Sequence, residues 1–293
     1  MANEEYCKQL ERRIAELEKE NAELRAQLGL SDTKAAATVP PAEVENSSSA
    51  TVHKYSSPNE KIRLFRSLFR GREDVFAKRW YSTKTEKSGY SPVCTNEWRE
   101  GVCIKPKGSC SKCENRELAI IYEHLSGKDG YARDVVGLYP ILPDDTCYFL
   151  AIDFDDGDWQ DSVSEVRNIC TGWNIPCAIE RSRSGEGTHL WIFFSEPVSC
   201  STARKLGTAL LTAAMENSGK LKLDSYDRMS PNQDTLPKGG FGNLIALPLQ
   251  GQARKKNNSS FVDEKFVAYA DQWAYLSQIQ KLSAIEVENL VHI

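Results

Sequence analysis

Phe149-Leu150-Ala151-Ile152-Asp153-Phe154-Asp155-Asp156 is an apolar run that ends in Asp-x-Asp. Four apolar residues entering the acidic pair read as a buried strand. On a strand, residues two apart face the same way, so Asp153 and Asp155 project side by side. Two carboxylates on a rigid strand, with Asp156 and Asp158 just beyond, supply the oxygen donors that Mg2+ or Mn2+ takes when water and substrate phosphates complete its shell. The pattern points to nucleotide chemistry; by itself it is equally an acidic turn that closes a strand.

Around this stretch the chain alternates strand-like and helix-like segments. Residues 147–154, 177–181, 189–194 and 243–248 read as strands. Helical spacing places helices over 62–71, where Ile62, Phe65, Leu68 and Phe69 recur with Arg63, Arg66 and Arg70 between them, and over 73–80, 161–173 and 201–218. The mixture implies an α+β or α/β body. At 293 residues and 40% hydrophobic content the chain is long enough for a sizeable core plus a tail.

The net charge of −4 hides strong segregation: residues 54–87 carry ten basic and four acidic side chains, whereas 144–165 carry eight acidic and no basic ones. A basic surface beside an acidic pocket suits an enzyme that handles a polyanion, although a basic run is also simply a solvated face. The first 28 residues are charged throughout, and no run of about 18 apolar residues occurs, so neither a signal peptide nor a membrane span is expected and the location is expected to be cytoplasmic. Nine cysteines in that setting suggest metal ligands or buried thiols rather than disulfides.

Residues 1–30 form a separate segment. Cys7, Ile14, Asn21 and Leu28 share one heptad position and Leu10, Leu17 and Leu24 the other, the seam of a short coiled coil through which residues 4–29 are expected to form a homodimer; a lone amphipathic helix is the alternative. Residues 31–58, with Pro40-Pro41 and Ser47-Ser48-Ser49, read as a flexible linker, followed by a body over 59–282 and a tail over 283–293.

Three further constellations carry chemistry. Cys94, Cys103, Cys110 and Cys113 fall within a loop-rich segment, 92–115, and fit a closed structural Zn2+ site that orders a stretch too short for its own core; an Fe–S cluster or redox pair remains open. Glu180-Arg181-Ser182-Arg183-Ser184-Gly185-Glu186-Gly187-Thr188-His189 joins two strand-like runs as a Gly-containing hairpin whose backbone N–H groups and Arg, Ser and His side chains are suited to a triphosphate. Finally, Asp224 ends a short apolar run and could complete a three-carboxylate site with Asp153 and Asp155, with Asp227 three residues away as the alternative; Lys238, in a Gly-rich turn, could reach phosphate.

Asp-x-Asp on a strand, a small-x-His hairpin about thirty-five residues later and a third Asp about thirty-five beyond resemble the three motifs of the archaeo-eukaryotic primase superfamily. Within it, Pro92-Val93-Cys94, Asn96-Glu97-Trp98, the four cysteines, Asp144-Asp145-Thr146-Cys147, Ile152-Asp153-Phe154-Asp155 and Phe241-Gly242-Asn243-Leu244-Ile245-Ala246-Leu247-Pro248 resemble most the primase-polymerase domain of TOTE conflict-system proteins, over residues 59–282. The resemblance implies an α+β catalytic core, an RRM-like sheet plus a small α/β module, with a zinc-binding insertion. It implies two catalytic Mg2+ or Mn2+ ions on Asp153, Asp155 and a third aspartate, with Ser184, Gly185 and His189 holding a nucleoside triphosphate.

Arg181, Arg183 and Lys238 are expected to counter triphosphate charge, and basic residues within 61–79 and Arg254-Lys255-Lys256 to track a single-stranded DNA or RNA template. The proteins it resembles usually continue into a helicase-like region that these 293 residues do not include; the alternatives are a short stand-alone form or a fragment, and the N-terminal coil could recruit a second copy or a separate helicase. A metal-dependent nuclease and a non-catalytic nucleic-acid-binding module are the competing classes.

Overall fold

A computed structural model of the chain describes residues 51–108, 113–115, 117, 135–155, 157–218 and 225–291, together with Arg13, Glu16 and Lys19. In chain order its elements are α1 (Pro58–Leu68), β1 (Ala77–Tyr81), β2 (Ser88–Pro92), β3 (Val136–Leu138), β4 (Thr146–Asp155), α2 (Trp159–Gly172), β5 (Ala178–Arg181), β6 (Gly187–Ser199), α3 (Cys200–Ser218), β7 (Tyr226–Ser230), β8 (Ile245–Ala246), α4 (Gly251–Arg254), β9 (Ser260–Phe261), α5 (Gln272–Ser277) and α6 (Ala284–Val291). The three described N-terminal residues are helical, with Arg13 and Glu16 3.0 Å apart on an exposed face. The rest of the heptad segment and linker residues 31–50 lie outside the described residues.

Two antiparallel sheets make a mixed α/β body. The larger runs β7-β4-β6-β5-β9 and the smaller β2-β1-β3-β8. From β4 to β7 the chain follows a β-α-β-β-α-β path, which puts β4 and β6 at the centre of the large sheet. Strand β4 is apolar almost without interruption because both its faces are covered. Leu150, Ile152 and Phe154 pack with Val163, Val166 and Cys170 of α2 and Ala203, Leu206 and Leu210 of α3. Phe149 and Ala151 face the other way, toward Phe65 and Leu68 of α1 and Val136 and Leu138 of β3.

Helix α1 starts on a capping box. The Glu60 N–H donates to Ser57 Oγ at 3.3 Å, the Ser57 N–H donates to Glu60 Oε2 at 2.7 Å, and Pro58 occupies the first turn where no donor is needed. Just past its end, Phe69 meets Trp191 and Phe193 of β6 edge-on at 5.1 and 5.3 Å, which docks the helix on the sheet face.

Three local expectations change. Residues 73–80 do not form a helix: Val75, Phe76 and Ala77 are buried in succession, which an extended segment achieves and a short amphipathic helix does not, and from Ala77 the chain is a strand that pairs with β2 over 77–81 and with β3 at Ala77 and Lys78. The strand over 243–248 shrinks to Ile245–Ala246. Residues 284–291, placed in a tail from sequence, form α6, whose Val287 is buried in the main core. Cys147, Cys170 and Cys200 are buried in the main core, and Cys177 packs against it partly buried. Among the described residues, no helix is long and apolar enough to cross a membrane.

Candidate active site

The alternation that buries Phe149 and Ala151 beneath α1 carries Asp153 and Asp155 to the same sheet face at the end of β4. Asp227 joins them from β7 through a bulge. Asp153 pairs with Arg228 but Phe154 pairs with Tyr226, so Asp227 is an extra residue in the ladder. Without the bulge Asp227 would oppose Phe154 and face the helices; Tyr226 takes that place, packed on the core with its ring 6.4 Å from Phe154. The side chain of Asp227 is thereby re-aimed. One carboxylate oxygen from each of Asp153, Asp155 and Asp227 lies within 4.8 Å of the others, and among the described residues these make the one such group of potential metal ligands.

A charged row crosses the sheet at the level of Asp153. Its cross-strand neighbours are His189 on β6 and Arg228 on β7, and His189 in turn is opposite Glu180 on β5. The contacts are Arg228 Nε to Asp153 Oδ2 at 3.9 Å, Asp153 Oδ1 to His189 Nε2 at 3.5 Å and His189 Nδ1 to Glu180 Oε2 at 2.7 Å. Arg228 also pairs with Asp227. Glu180, only 2% exposed, accepts further bonds from Trp191 Nε1 (3.2 Å) and Ser259 Oγ (3.3 Å). Burial by itself would push the imidazole of His189 down, but the Glu180 carboxylate, aided by Asp153 and Asp155, lifts it to about 9. Asp153 is pushed up to about 6 by burial, against the pull of His189 and with the help of Asp155 and Asp227.

This donor set fits a hard divalent cation. Asp153 Oδ1 is buried and has no hydrogen-bond partner, a cost that a ligated cation removes, and the neighbouring donors are carboxylate oxygens, which Mg2+ and Mn2+ prefer. The glycine preceding Thr188 is part of the arrangement. Gly187 pairs with Asp155, and a Cβ there would fall 2.5 Å from the Phe154 carbonyl and against Asp155 Oδ1.

Ser184 and Gly185 lie in the β5–β6 loop, which is bonded within itself. Gly185 N–H donates to Ser182 O (3.2 Å) and Glu186 N–H to Ser184 Oγ (3.3 Å), so these two amides are engaged rather than open to a ligand. Asn258 Nδ2 holds the loop by donating to Ser184 O at 2.9 Å. Next to it, Arg79, Arg183, Ser184, Lys256 and Asn258 line a polar cavity of about 510 Å3.

The remaining expected residues fall elsewhere. Arg181 is not brought to the aspartates: one residue on from Glu180, it faces the opposite side of the sheet and donates to Phe266 O at 2.7 Å. Lys238 is exposed in the turn closed by the Gly240 N–H to Pro237 O bond. Asp224 and Cys110 lie outside the described residues. Cys94, Cys103 and Cys113 are half-buried free thiols, and Cys94 Sγ accepts from the Glu117 N–H at 3.4 Å. Sequence reasoning gave no role to Glu180 or Arg228, and set Arg79 among the residues that track a template. The available signal for Glu180 was a carboxylate inside an otherwise apolar strand, Ala178-Ile179-Glu180.

Residues 60–290 match the family model described as the TOTE conflict system, Archaeo-Eukaryotic Primase domain, and the chain belongs to that family. Among solved structures it is similar to the polymerase domain of Mycobacterium tuberculosis ligase D in complex with DNA, at 14% identity and a TM-score of 0.42, covering 80% of this chain and 85% of that one. It is also similar to the archaeo-eukaryotic primase domain of the cyanophage S-2L primase-polymerase, at 13% identity and a TM-score of 0.33, covering 75% of this chain and 97% of that one. No curated protein matches it.

Proposed function

We propose that the chain is a template-directed nucleotidyltransferase, a DNA primase-polymerase that joins nucleoside triphosphates along a single-stranded template. The observation that carries this is the convergence of Asp153, Asp155 and Asp227 beside His189, on the sheet face next to a cavity lined by Arg79, Arg183, Ser184 and Lys256. Family membership supports nucleotidyl transfer as the reaction class.

Asp153, Asp155 and Asp227 would hold two Mg2+ or Mn2+ ions, which supply Lewis-acid activation of the attacking 3′-hydroxyl and charge neutralisation at the leaving pyrophosphate. Held by Glu180 through Nδ1, the His189 ring presents Nε2 toward the aspartates and, as an imidazolium, donates to a phosphate oxygen there. Arg183, Lys256 and Arg79 offset the charge of the remaining phosphates from the cavity, with Ser184 as a neutral donor. Rate then follows from alignment of hydroxyl and phosphate, with no covalent nucleophile. The N-terminal heptads would pair two copies, and Cys94, Cys103, Cys110 and Cys113 would hold a structural Zn2+, a set whose thiol chemistry supports it.

The test is incubation of the protein with single-stranded DNA, Mn2+ or Mg2+ and labelled nucleotides, with and without primer, beside Asp153→Ala/Asp155→Ala. Product growth lost in the variant bears the proposal out. Template cleavage without nucleotides, or binding with no extension, overturns it in favour of a nuclease or a binding module.

A further inference from the structure

The hairpin made by β1 and β2 has a feature that the acidic site does not explain. Trp80 and Tyr81, on opposite faces near its end, are 44% and 58% exposed, large aromatic side chains left to solvent. Trp80 is nevertheless held in place. It pairs across the ladder with Gly89, and its indole lies over that glycine so closely that a Cβ at 89 would sit 2.9 Å from Cζ2 and 3.1 Å from Cε2. One ring face is seated on the backbone of β2 while the residue keeps much of its surface open, which makes the indole a flat shelf ordered before any partner arrives.

The surroundings indicate what the shelf takes. Between 78 and 88 the hairpin carries Lys78, Arg79, Lys84 and Lys87 against Glu86 alone. Lys84 and Lys87 are exposed in the turn, which is closed by the Ser82 N–H to Lys87 O bond at 2.9 Å. The hairpin also borders the candidate site through its other face, where Arg79 lines the same cavity as Arg183 and Ser184. A positive, flat aromatic surface suits a polyanion with exposed π faces. A duplex keeps its bases stacked inside, whereas a single strand can lay one on an indole without regard to its identity.

We propose that the β1–β2 hairpin is a docking surface for single-stranded nucleic acid, with one base stacked on Trp80 and flanking phosphates neutralised by Lys84 and Lys87. It rests on the polymerase assignment only in naming that strand the template. Stacking and charge leave different signatures, because only phosphate contacts release counterions and so depend on salt.

The experiment is fluorescence anisotropy of a labelled oligo-dT with the full chain, without added Mg2+ or Mn2+, across a KCl series. Trp80→Ala weakens binding about tenfold at every salt concentration, with the salt slope unchanged. Trp80→Phe recovers most of that loss, while Lys84→Gln/Lys87→Gln lowers the slope by about 1.4. Wild-type affinity in Trp80→Ala, or no recovery in Trp80→Phe, overturns the stacking role; an unchanged slope in the lysine pair overturns the charge role. Nucleotide incorporation by the wild type is measured in parallel. If it is absent while hairpin-dependent binding persists, the polymerase assignment fails and the docking surface stands.

Discussion

Replacing Glu180 with glutamine removes a charge from the sheet face while keeping its hydrogen-bond geometry. Glu180 Oε2 serves both His189 Nδ1 (2.7 Å) and Trp191 Nε1 (3.2 Å), and Oε1 serves Ser259 Oγ (3.3 Å). A glutamine in the same rotamer turns its oxygen to His189 and Trp191 and its amide to Ser259, whose hydroxyl accepts as well as donates. What disappears is the attraction that lifts His189 to about 9. The interval from the ordinary 6.5 corresponds to roughly 3 kcal/mol of stability, fully present below pH 6.5 and lost as pH rises through 9. Burial works against that lift and Asp153 and Asp155 aid it, so the interval is a net effect in which Glu180 is the largest favourable contributor. Asp153, itself raised to about 6, contributes stability below 3.8 that has gone above pH 6, so the window from 6.5 to 9 belongs to His189. Urea unfolding without added Mg2+ or Mn2+ then shows wild type ahead of Glu180→Gln at pH 6.5 by an amount on the order of 3 kcal/mol, with the gap closing by about pH 9.5. A gap of constant size across that range, or none at pH 6.5, refutes the electrostatic role assigned to Glu180.

Three other outcomes follow from the same geometry. Gly187→Ala drives a methyl group against the Phe154 carbonyl and Asp155, turns Asp155 from the cluster and lowers Mn2+ affinity at least about tenfold in calorimetry. Because a proton competes with metal for Asp153, Mn2+ affinity falls about tenfold for each pH unit below 6, which electron paramagnetic resonance of free Mn2+ reads directly. Asp227→Ala reduces nucleotide incorporation on the order of a hundredfold or more, whereas Asp224→Ala stays close to wild type; the opposite ranking moves the third ligand to Asp224.

The parts of the site that were legible in the sequence depend on one strand at a time. The period of two put Asp153 and Asp155 on one side from their spacing, and the run before them announced a strand covered on both faces. What was hidden depends on register. Glu180 and Arg228 enter the charged row only because β5 and β7 align beside β6 and β4, and Asp227 arrives through a one-residue bulge that local pattern does not signal. Arg181 shows the same dependence in reverse. Its charge suggested a phosphate contact, yet once Glu180 faces His189 the alternation sends Arg181 to Phe266 on the far side. The helix expected over 73–80 failed because Val75, Phe76 and Ala77 look amphipathic in isolation but are buried consecutively by the second sheet and its neighbours.

The most direct measurement is anomalous scattering from crystals grown with Mn2+ and a nucleoside triphosphate whose bridging oxygen resists transfer. Two Mn2+ peaks bound by Asp153, Asp155 and Asp227, with the triphosphate reaching from them past His189 toward Arg183 and Lys256, are the predicted result. Nucleotide bound elsewhere, or metal seated with no contact to those three carboxylates, contradicts the account.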